Sequence, residues 1–198
     1  MNHSVADLSV IKVGGGLSRL RGALQRACSE LQALSRRHPI LLVPGGGPFA
    51  DAIRAFESQT TLSPAASHWM AILAMDQYAY VLADQIAGGV IVTEPGEIGE
   101  VLWEGKIPII APARWMRSAD VFPHSWEVTS DSIAAFVAGA LGAARLALIK
   151  PAMSQDPVDP YFRTALPAGM PCLIVSWERL EELSDWLSGP TAAAAHPE

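Results

Sequence analysis

The sequence predicts an α/β protein, a three-layer α/β/α sandwich with a mainly parallel central sheet. Two observations support this fold class. Short runs rich in Val, Ile and Leu alternate with longer segments of helical period along the chain. Those runs are continuously apolar, whereas a strand with one face in water alternates apolar and polar residues. Strands buried on both faces need a layer of helices on each side of the sheet.

Six apolar runs are expected to form the strands of this sheet. In chain order they are residues 8–13, 39–44, 89–93, 107–112, 144–149 and 171–176. Each run has the length of an ordinary strand, and most contain β-branched residues, which pack well on a pleated surface. We therefore expect these runs to lie side by side in one sheet.

Helices are expected in the gaps between the strands. Residues 17–37 carry Leu and Ala at steps of three and four, the stripe with which a helix packs on a sheet. Residues 63–86 begin with Ser-Pro, a hydroxyl N-cap followed by proline at the first helical position. A third helix follows Thr129, and a fourth, residues 177–187, ends before Gly189.

The C-terminal part of the chain has fewer regular signals. Residues 151–172 contain five prolines and no clear period. We expect them to form a long loop over one end of the sheet, a kind of segment that is often functional. Residues 1–188 are expected to form a single domain, and residues 189–198 a disordered tail with little to bury.

Composition and charge exclude several classes of function. The net charge is −6 and 17% of residues are charged, so no basic surface is expected for nucleic acid or anionic lipid. No apolar run approaches the roughly 20 residues of a bilayer span, and no secretory signal is visible, which predicts a cytoplasmic protein. Cys28 and Cys172 are far apart and belong to no CxxC motif. They are expected to be reduced, packed thiols, with no metal site.

Two glycine triplets follow the first two predicted strands, and each precedes a predicted helix. They are Gly14, Gly15 and Gly16, and Gly45, Gly46 and Gly47. Glycine lets the backbone approach an oxyanion closely, so this arrangement is typical of phosphate binding. Neither triplet is a Walker A loop, and residues 45–50 fit G-x-G-x-x-A but lack the acidic partner of a dinucleotide site. Simple tight turns are the alternative.

Two lysines and one aspartate are candidates for the chemistry. The chain has three lysines, and Lys12 lies in the first buried strand, where an ammonium needs an anionic partner such as a phosphoryl group. The alternative is a strand-end lysine that reaches water. Lys150, at the end of the fifth apolar run, raises the same question. Asp131 follows Thr129 and Ser130, either of which is a candidate N-cap. It therefore either stabilises the helix start from the first turn or orients Lys12.

Further candidates lie on the long helix predicted for residues 63–86. His68 and Asp76 are two turns apart on roughly one face and are expected to line a pocket. Their alternative is a capping or surface position. The six tryptophans are expected in the core, because no basic residues interleave with them.

Three strings together resemble the amino-acid kinase superfamily, which includes acetylglutamate, aspartate, carbamate and uridylate kinases. They are IKVGGG (11–16), LLVPGGGPFADAIR (41–54) and HSWEVTSDSIAAFVAGAL (124–141), and their order and spacing match over about residues 8–150. Within the superfamily, PGGGPFAD (44–51), SHWMAILAMD (67–76) and HSWEVTSDS (124–132) resemble the small kinases of methanofuran biosynthesis, which act on an aminomethylfuran methyl phosphate.

The resemblance implies a fold, a reaction and an assembly. The fold is an open α/β sandwich whose central sheet has about eight strands. The reaction is phosphoryl transfer from ATP, with Mg²⁺ carried by the nucleotide, to a phosphate or carboxylate on a small acceptor. The assembly is a homo-oligomer, a dimer by the habit of the family.

The resemblance also assigns roles to residues. Lys12 stabilises the transferring phosphoryl group and Asp131 orients that lysine. Gly14, Gly15, Gly16 and Lys150 bind the phosphates of the nucleotide. The acceptor site comprises Gly45, Gly46, Gly47, His68, Asp76, Ser130 and Asp159, with the carboxylate of Asp76 as a partner for a substrate amine.

Two positions depart from the pattern of the superfamily. Gly16 replaces a serine, and Lys150-Pro151 stands where relatives continue with Thr-Asp-Val-Asp-Gly, so the nucleotide-binding part looks shortened. A catalytically inactive relative that binds an anionic metabolite, or serves as an assembly subunit, is therefore the alternative function.

Overall fold

The computed structural model describes residues 7–189, in which six strands form one sheet. The order across the sheet is β3-β4-β2-β1-β5-β6, and all five pairings are parallel. The strands are β1 (Ser9–Val13), β2 (Ile40–Pro44), β3 (Gly89–Val92), β4 (Ile107–Ile110), β5 (Arg145–Lys150) and β6 (Cys172–Ser176). The predicted fold class is confirmed, although this part of the chain has six strands where the resemblance implies about eight.

Eight α-helices accompany the sheet in residues 7–189. They are α1 (Ala23–Ser35), α2 (Gly47–Glu57), α3 (Pro64–Gln85), α4 (Pro95–Trp103), α5 (Ala113–Ala119), α6 (Ser130–Ala140), α7 (Phe162–Ala165) and α8 (Glu181–Ser188). The start of α3 is as expected, because the Ser63 hydroxyl accepts a hydrogen bond from the Ala66 N–H at 3.2 Å. The predicted tail, apart from Gly189, lies outside the described residues.

The helix predicted for residues 17–37 is divided in two. A short 3-10 helix, Gly15–Arg19, follows β1, and α1 begins only at Ala23. Gly22 between them has a φ of +77°, in the left-handed region that interrupts a right-handed helix. The 3-10 helix therefore includes Gly15 and Gly16 of the triplet and Leu17 of the predicted stripe, and the rest of the stripe continues in α1.

The sheet separates two apolar cores. On one face, β1 contributes Ile11 and Val13, which pack against residues of α1, α3 and α8. On the other face, Leu8 and Val10 pack with residues of α4, α5 and α6. Lys12 is at the next position of this second face, under α6, which is why its ammonium meets side chains of that helix.

Candidate active site

The two glycine triplets pack against each other at the carboxyl ends of β1 and β2. A Cβ atom on Gly15 would lie 2.1 Å from the Gly47 nitrogen, and one on Gly45 would lie 2.4 Å from the Gly15 nitrogen. Gly47 also has a φ of +56°, which favours glycine. Part of the glycine requirement thus comes from the contact between the two loops, in addition to any ligand they bind.

A cavity of about 190 Å³ opens above these loops. Six of the predicted site residues line it: Gly15, Gly16, Gly46, Gly47, His68 and Ser130. Helices α2 and α6 both begin at this cavity, and the first N–H groups of a helix carry partial positive charge. The cavity wall is therefore suited to an anionic ligand.

A buried cluster of two lysines and one aspartate adjoins the cavity through Ser130, which precedes Asp131, although none of the three charged residues is among those that line it. Lys12 Nζ is 2.9 Å from Asp131 Oδ1, and Lys150 Nζ donates a hydrogen bond to Asp131 Oδ2 at 2.5 Å. The exposed fractions are only 5%, 7% and 4% for Lys12, Lys150 and Asp131. The two ammonium groups share one carboxylate, so this contact alone leaves one positive charge without a matching negative charge.

The pKa values in the cluster reflect this imbalance. Burial, and then repulsion by Lys12, lower the pKa of Lys150 to about 8, although Asp131 and Asp159 oppose the shift. Burial alone would raise the pKa of Asp131, but the two ammonium groups outweigh it and hold that pKa below its ordinary value. An added anion would restore the charge balance of the pair of lysines.

The elements of the fold explain why the cluster is next to the cavity. Asp131 is in the first turn of α6, directly after Ser130, which lines the cavity. Lys12 leads into the first glycine triplet, and Lys150 ends the neighbouring strand β5. Parallel strands bring their carboxyl ends to one edge of the sheet, where binding sites of open α/β sheets are found.

Asp159 is fully engaged by the start of α6. Its Oδ2 accepts hydrogen bonds from the Thr129 N–H at 3.0 Å, the Thr129 hydroxyl at 2.7 Å and the Ser132 N–H at 3.1 Å. Its Oδ1 accepts a hydrogen bond from the Ser132 hydroxyl. Thr129 occupies the N-cap position, yet the capping oxygen comes from Asp159 in a distant loop. Asp159 is not among the residues that line the cavity, and its substrate-binding role stays a prediction.

His68 and Asp76 differ in position. His68 lines the cavity and stacks on His124 with ring centroids 4.6 Å apart, and burial together with His124 lowers its pKa. Asp76 is not among the lining residues, and its Oδ1 accepts a hydrogen bond from the Ala113 N–H at 2.9 Å. Burial raises the pKa of the Asp76 carboxyl. Its role as partner of a substrate amine stays a prediction.

Several cavity residues escaped the sequence analysis. Arg19, Asp51 and Arg54 line the cavity, and Asp51 forms ion pairs with both arginines. The sequence contains an indication of the second ion pair, because Asp51 and Arg54 are one helical turn apart in PFADAIR (48–54). Those side chains lie within two turns of a glycine triplet, which places them at the same cavity.

The tryptophans also differ from the expectation that all are core residues. Trp103 is 78% exposed, and Trp126 lines the cavity. The Trp126 ring is fixed from two sides, because its indole N–H donates to Glu57 at 2.6 Å and the Arg54 guanidinium lies 4.3 Å from its ring centroid. An aromatic ring that a helix holds in this way is a rigid wall of the cavity.

Two kinds of feature are absent from residues 7–189. None of the helices there is both long and apolar enough to cross a membrane. Within the same residues, no three His, Cys, Asp or Glu side chains are grouped so that they could bind a metal ion.

Comparison with known proteins gives a family match. The profile of the Amino acid kinase family matches residues 7–151. The curated (5-(aminomethyl)furan-3-yl)methyl phosphate kinase of Methanocaldococcus jannaschii is 29% identical over 131 residues. That match covers 66% of this chain but only 59% of the relative.

A solved structure shows the same fold. The crystal structure of uridylate kinase from Archaeoglobus fulgidus superposes with a TM-score of 0.57, over 77% of this chain and 68% of that one. The sequence identity is 16%, so this likeness concerns the arrangement of strands and helices.

Proposed function

The chain belongs to the amino acid kinase family, and on that premise we propose that it is an ATP-dependent phosphotransferase acting on a small anionic acceptor. The observation that carries the proposal is the buried cluster in which Lys12 and Lys150 share Asp131 beside the cavity. Two ammonium groups held by one carboxylate stabilise negative charge on a phosphoryl group between donor and acceptor. No covalent intermediate with the protein is needed, because positioning and charge supply the catalysis.

The residues present fit the phosphates of a nucleotide. Gly15 and Gly16 line the cavity, where the lack of side chains lets the backbone of the Gly14, Gly15 and Gly16 loop approach a phosphate closely. Lys150 adds a buried cation at the end of β5. We propose that these groups hold the phosphates of ATP, which when bound supplies the transferable phosphoryl group, with Mg²⁺ carried by the nucleotide.

The cavity supports a compact, flat acceptor with an anionic group. Its volume of about 190 Å³ is below the range of drug-sized sites, roughly 300–1,000 Å³. Trp126 and His68 present ring surfaces, and Arg19 and Arg54 supply cations at the wall. With the named relative as a guide, we propose that the acceptor is aminomethylfuran methyl phosphate and the product a diphosphate, a step of methanofuran-type cofactor biosynthesis. The wider class of acceptors is a phosphate or carboxylate on a small molecule.

Steady-state release of ADP tests this proposal. Purified protein is assayed with Mg-ATP and aminomethylfuran methyl phosphate, alongside Lys12→Ala and Lys106→Ala. Lys106 is the matched control, because its side chain is 49% exposed and forms an ion pair with the surface residue Glu104. We expect kcat to fall by at least about 100-fold for Lys12→Ala and to remain at the wild-type value for Lys106→Ala.

Other results would assign a different function. Full turnover by Lys12→Ala would refute the role of the cluster. Calorimetric binding of Mg-ATP without ADP release, for every small phosphate and carboxylate tested, would favour the non-catalytic alternative, in which the cavity binds an anionic metabolite.

A further inference from the structure

We propose that Asp159 is a positioning residue for phosphoryl transfer: it fixes the start of α6 so that Asp131 stays between Lys12 and Lys150. The inference rests on the proposed function and deepens it. Its basis is a set of four hydrogen bonds to one carboxylate, made by two residues that flank the aspartate of the cluster.

The contacts surround Asp131 in the chain. Thr129 donates its N–H and hydroxyl to Asp159, and Ser132 donates its N–H and hydroxyl to the same side chain. Asp131 lies between these two donors. Its backbone is therefore held on both sides, and a carboxylate accepts such bonds more strongly than a neutral oxygen does.

Within residues 7–189, Asp159 supplies the side-chain cap at the start of α6. The first turn of a helix contains N–H groups without intrahelical partners, and Thr129 makes no capping bond of its own. Ser132 is completely buried, so its hydroxyl cannot form a hydrogen bond with water when the Asp159 carboxylate is removed. Loss of the carboxylate would thus displace the first turn, and Asp131 with it.

The position of Asp159 in the fold links the two halves of the cluster. Asp159 follows β5 by way of the irregular segment that begins after Lys150. Its neighbour Phe162 is buried in the core under α6, and the Phe162 N–H donates to the Asp159 carbonyl at 3.1 Å. One carboxylate therefore ties the strand that carries Lys150 to the helix that carries Asp131.

This geometry separates positioning from substrate binding. Asp159 is not among the residues that line the cavity, and both of its oxygens are occupied by α6. A positioning residue that acts through Asp131 affects the transfer step, so its loss lowers kcat and leaves the KM of the acceptor nearly unchanged. A partner of the substrate amine would raise that KM.

The test compares Asp159→Asn, Ser132→Ala and the control Asp156→Asn in the full chain. The Asn variant keeps the shape but leaves at least one donor of α6 without an acceptor. Ser132→Ala removes one buried hydrogen bond without any change of charge. Asp156 is exposed in the same loop, where its backbone carbonyl accepts a hydrogen bond from the Ser154 hydroxyl. It reports the effect of losing one negative charge nearby.

We expect kcat to fall by about 10- to 100-fold for Asp159→Asn and by less for Ser132→Ala. The double variant should lose less than the product of the two single losses, since both remove the same interaction. The KM of the acceptor should stay within about twofold, and Asp156→Asn should match the wild type. A raised KM with unchanged kcat in Asp159→Asn would overturn the proposal in favour of substrate contact.

A second readout does not depend on turnover. The chain has three lysines, so selective ¹³C labelling gives three side-chain signals, with exposed Lys106 as the internal reference. We expect Ser132→Ala and Asp159→Asn to shift the signals of Lys12 and Lys150 and to leave that of Lys106 in place. Unchanged Lys12 and Lys150 signals would overturn the positioning role. If the two variants shift the Lys12 and Lys150 signals but the wild-type protein shows no kinase turnover, only the proposed function is overturned.

Discussion

Strand β5 begins and ends with a buried cation, and the two ends differ in how the charge is satisfied. Arg145 and Lys150 are each 7% exposed. The Arg145 guanidinium donates to the backbone carbonyls of Trp186, Leu187 and Gly189, at 2.7, 3.4 and 3.4 Å. The Lys150 ammonium instead shares the Asp131 carboxylate with Lys12.

The difference shows which of the two buried cations can still bind an anionic ligand. The partners of Arg145 are fixed carbonyls at the C-terminal end of α8, where a helix carries partial negative charge. An arginine whose guanidinium donates hydrogen bonds to several carbonyls at once stabilises the fold. Lys150 has a compact ammonium beside a second cation, and the two ammonium groups share one carboxylate, which leaves the pair able to bind a further anion.

The largest effect is expected for Lys150→Met. This change removes one of the two cations beside the cavity and leaves Lys12 paired with Asp131. We expect kcat to fall by at least about 100-fold, with no loss in the free energy of unfolding. Parallel kinetics and urea unfolding measure both quantities. A Lys150→Met variant with wild-type kcat would contradict the functional role assigned to the Lys150 end of β5.

Arg145→Met is expected to show the converse. It leaves three carbonyls near the end of α8 without their charged donor, and hydrogen bonds to charged groups contribute roughly 1.5–3 kcal/mol each. We expect the free energy of unfolding to fall by about 2–3 kcal/mol, while kcat of the folded fraction is retained. A loss of turnover without a loss of stability would contradict the structural role.

The pH profile separates the two cations without any mutation. The pKa of Lys150 is about 8 in the folded chain and 10.5 as an ordinary lysine. The value of kcat/KM should therefore fall by about tenfold per pH unit above that pKa, as the free enzyme loses this ammonium. In the unfolded chain the lysine keeps its proton up to the higher pKa, so its contribution to stability rises between about pH 8 and 10.5.

Comparison with Lys150→Met isolates the contribution of Lys150, because burial raises the pKa values of the Cys28 and Cys172 thiols to about 11 and these groups lower the stability over part of the same pH range. Lys150→Met should lack that stability increase, whereas Arg145→Met should keep it. Urea titrations at several pH values measure the effect. A stability increase of the same size in Lys150→Met would assign it to another group.

The smallest effect is expected at Trp186. The Arg145 guanidinium lies 5.2 Å from the centroid of the Trp186 ring, a cation–π contact at the edge of the structural site. Trp186→Leu keeps an apolar side chain and should lower the free energy of unfolding by about 1 kcal/mol. Thermal unfolding resolves a change of this size. A larger loss than that of Arg145→Met would mean that the ring, and not the carbonyl contacts, anchors α8.

Much of the fold follows from local patterns in the sequence. The six continuous apolar runs coincide with the six strands, because a strand buried on both faces leaves no polar alternation. The division of the first predicted helix was missed, since Gly22 in the left-handed region cannot be distinguished from an ordinary glycine in sequence. The expectation of about eight strands came from the resemblance and exceeds what residues 7–189 contain.

The candidate site was predictable where its residues lie close to strand ends. Lys12, Asp131 and the glycine triplets have recognisable neighbours in the chain, and the structure brings them together. The contacts of Asp159 were not predictable, because they join residues 27 to 30 positions apart through hydrogen bonds. The place of Trp126 in the cavity depends on Glu57, which is 69 positions away in sequence.

The proposed phosphoryl transfer depends on the cluster of Lys12, Asp131 and Lys150. Phosphorus NMR of wild-type protein with Mg-ATP and aminomethylfuran methyl phosphate follows the transferred group itself. We expect the terminal ATP signal to decay while two signals of a diphosphate ester appear, and we expect Lys12→Ala to abolish this change. Diphosphate formed equally fast by Lys12→Ala, or none formed by wild-type protein with bound ATP, would contradict the proposal.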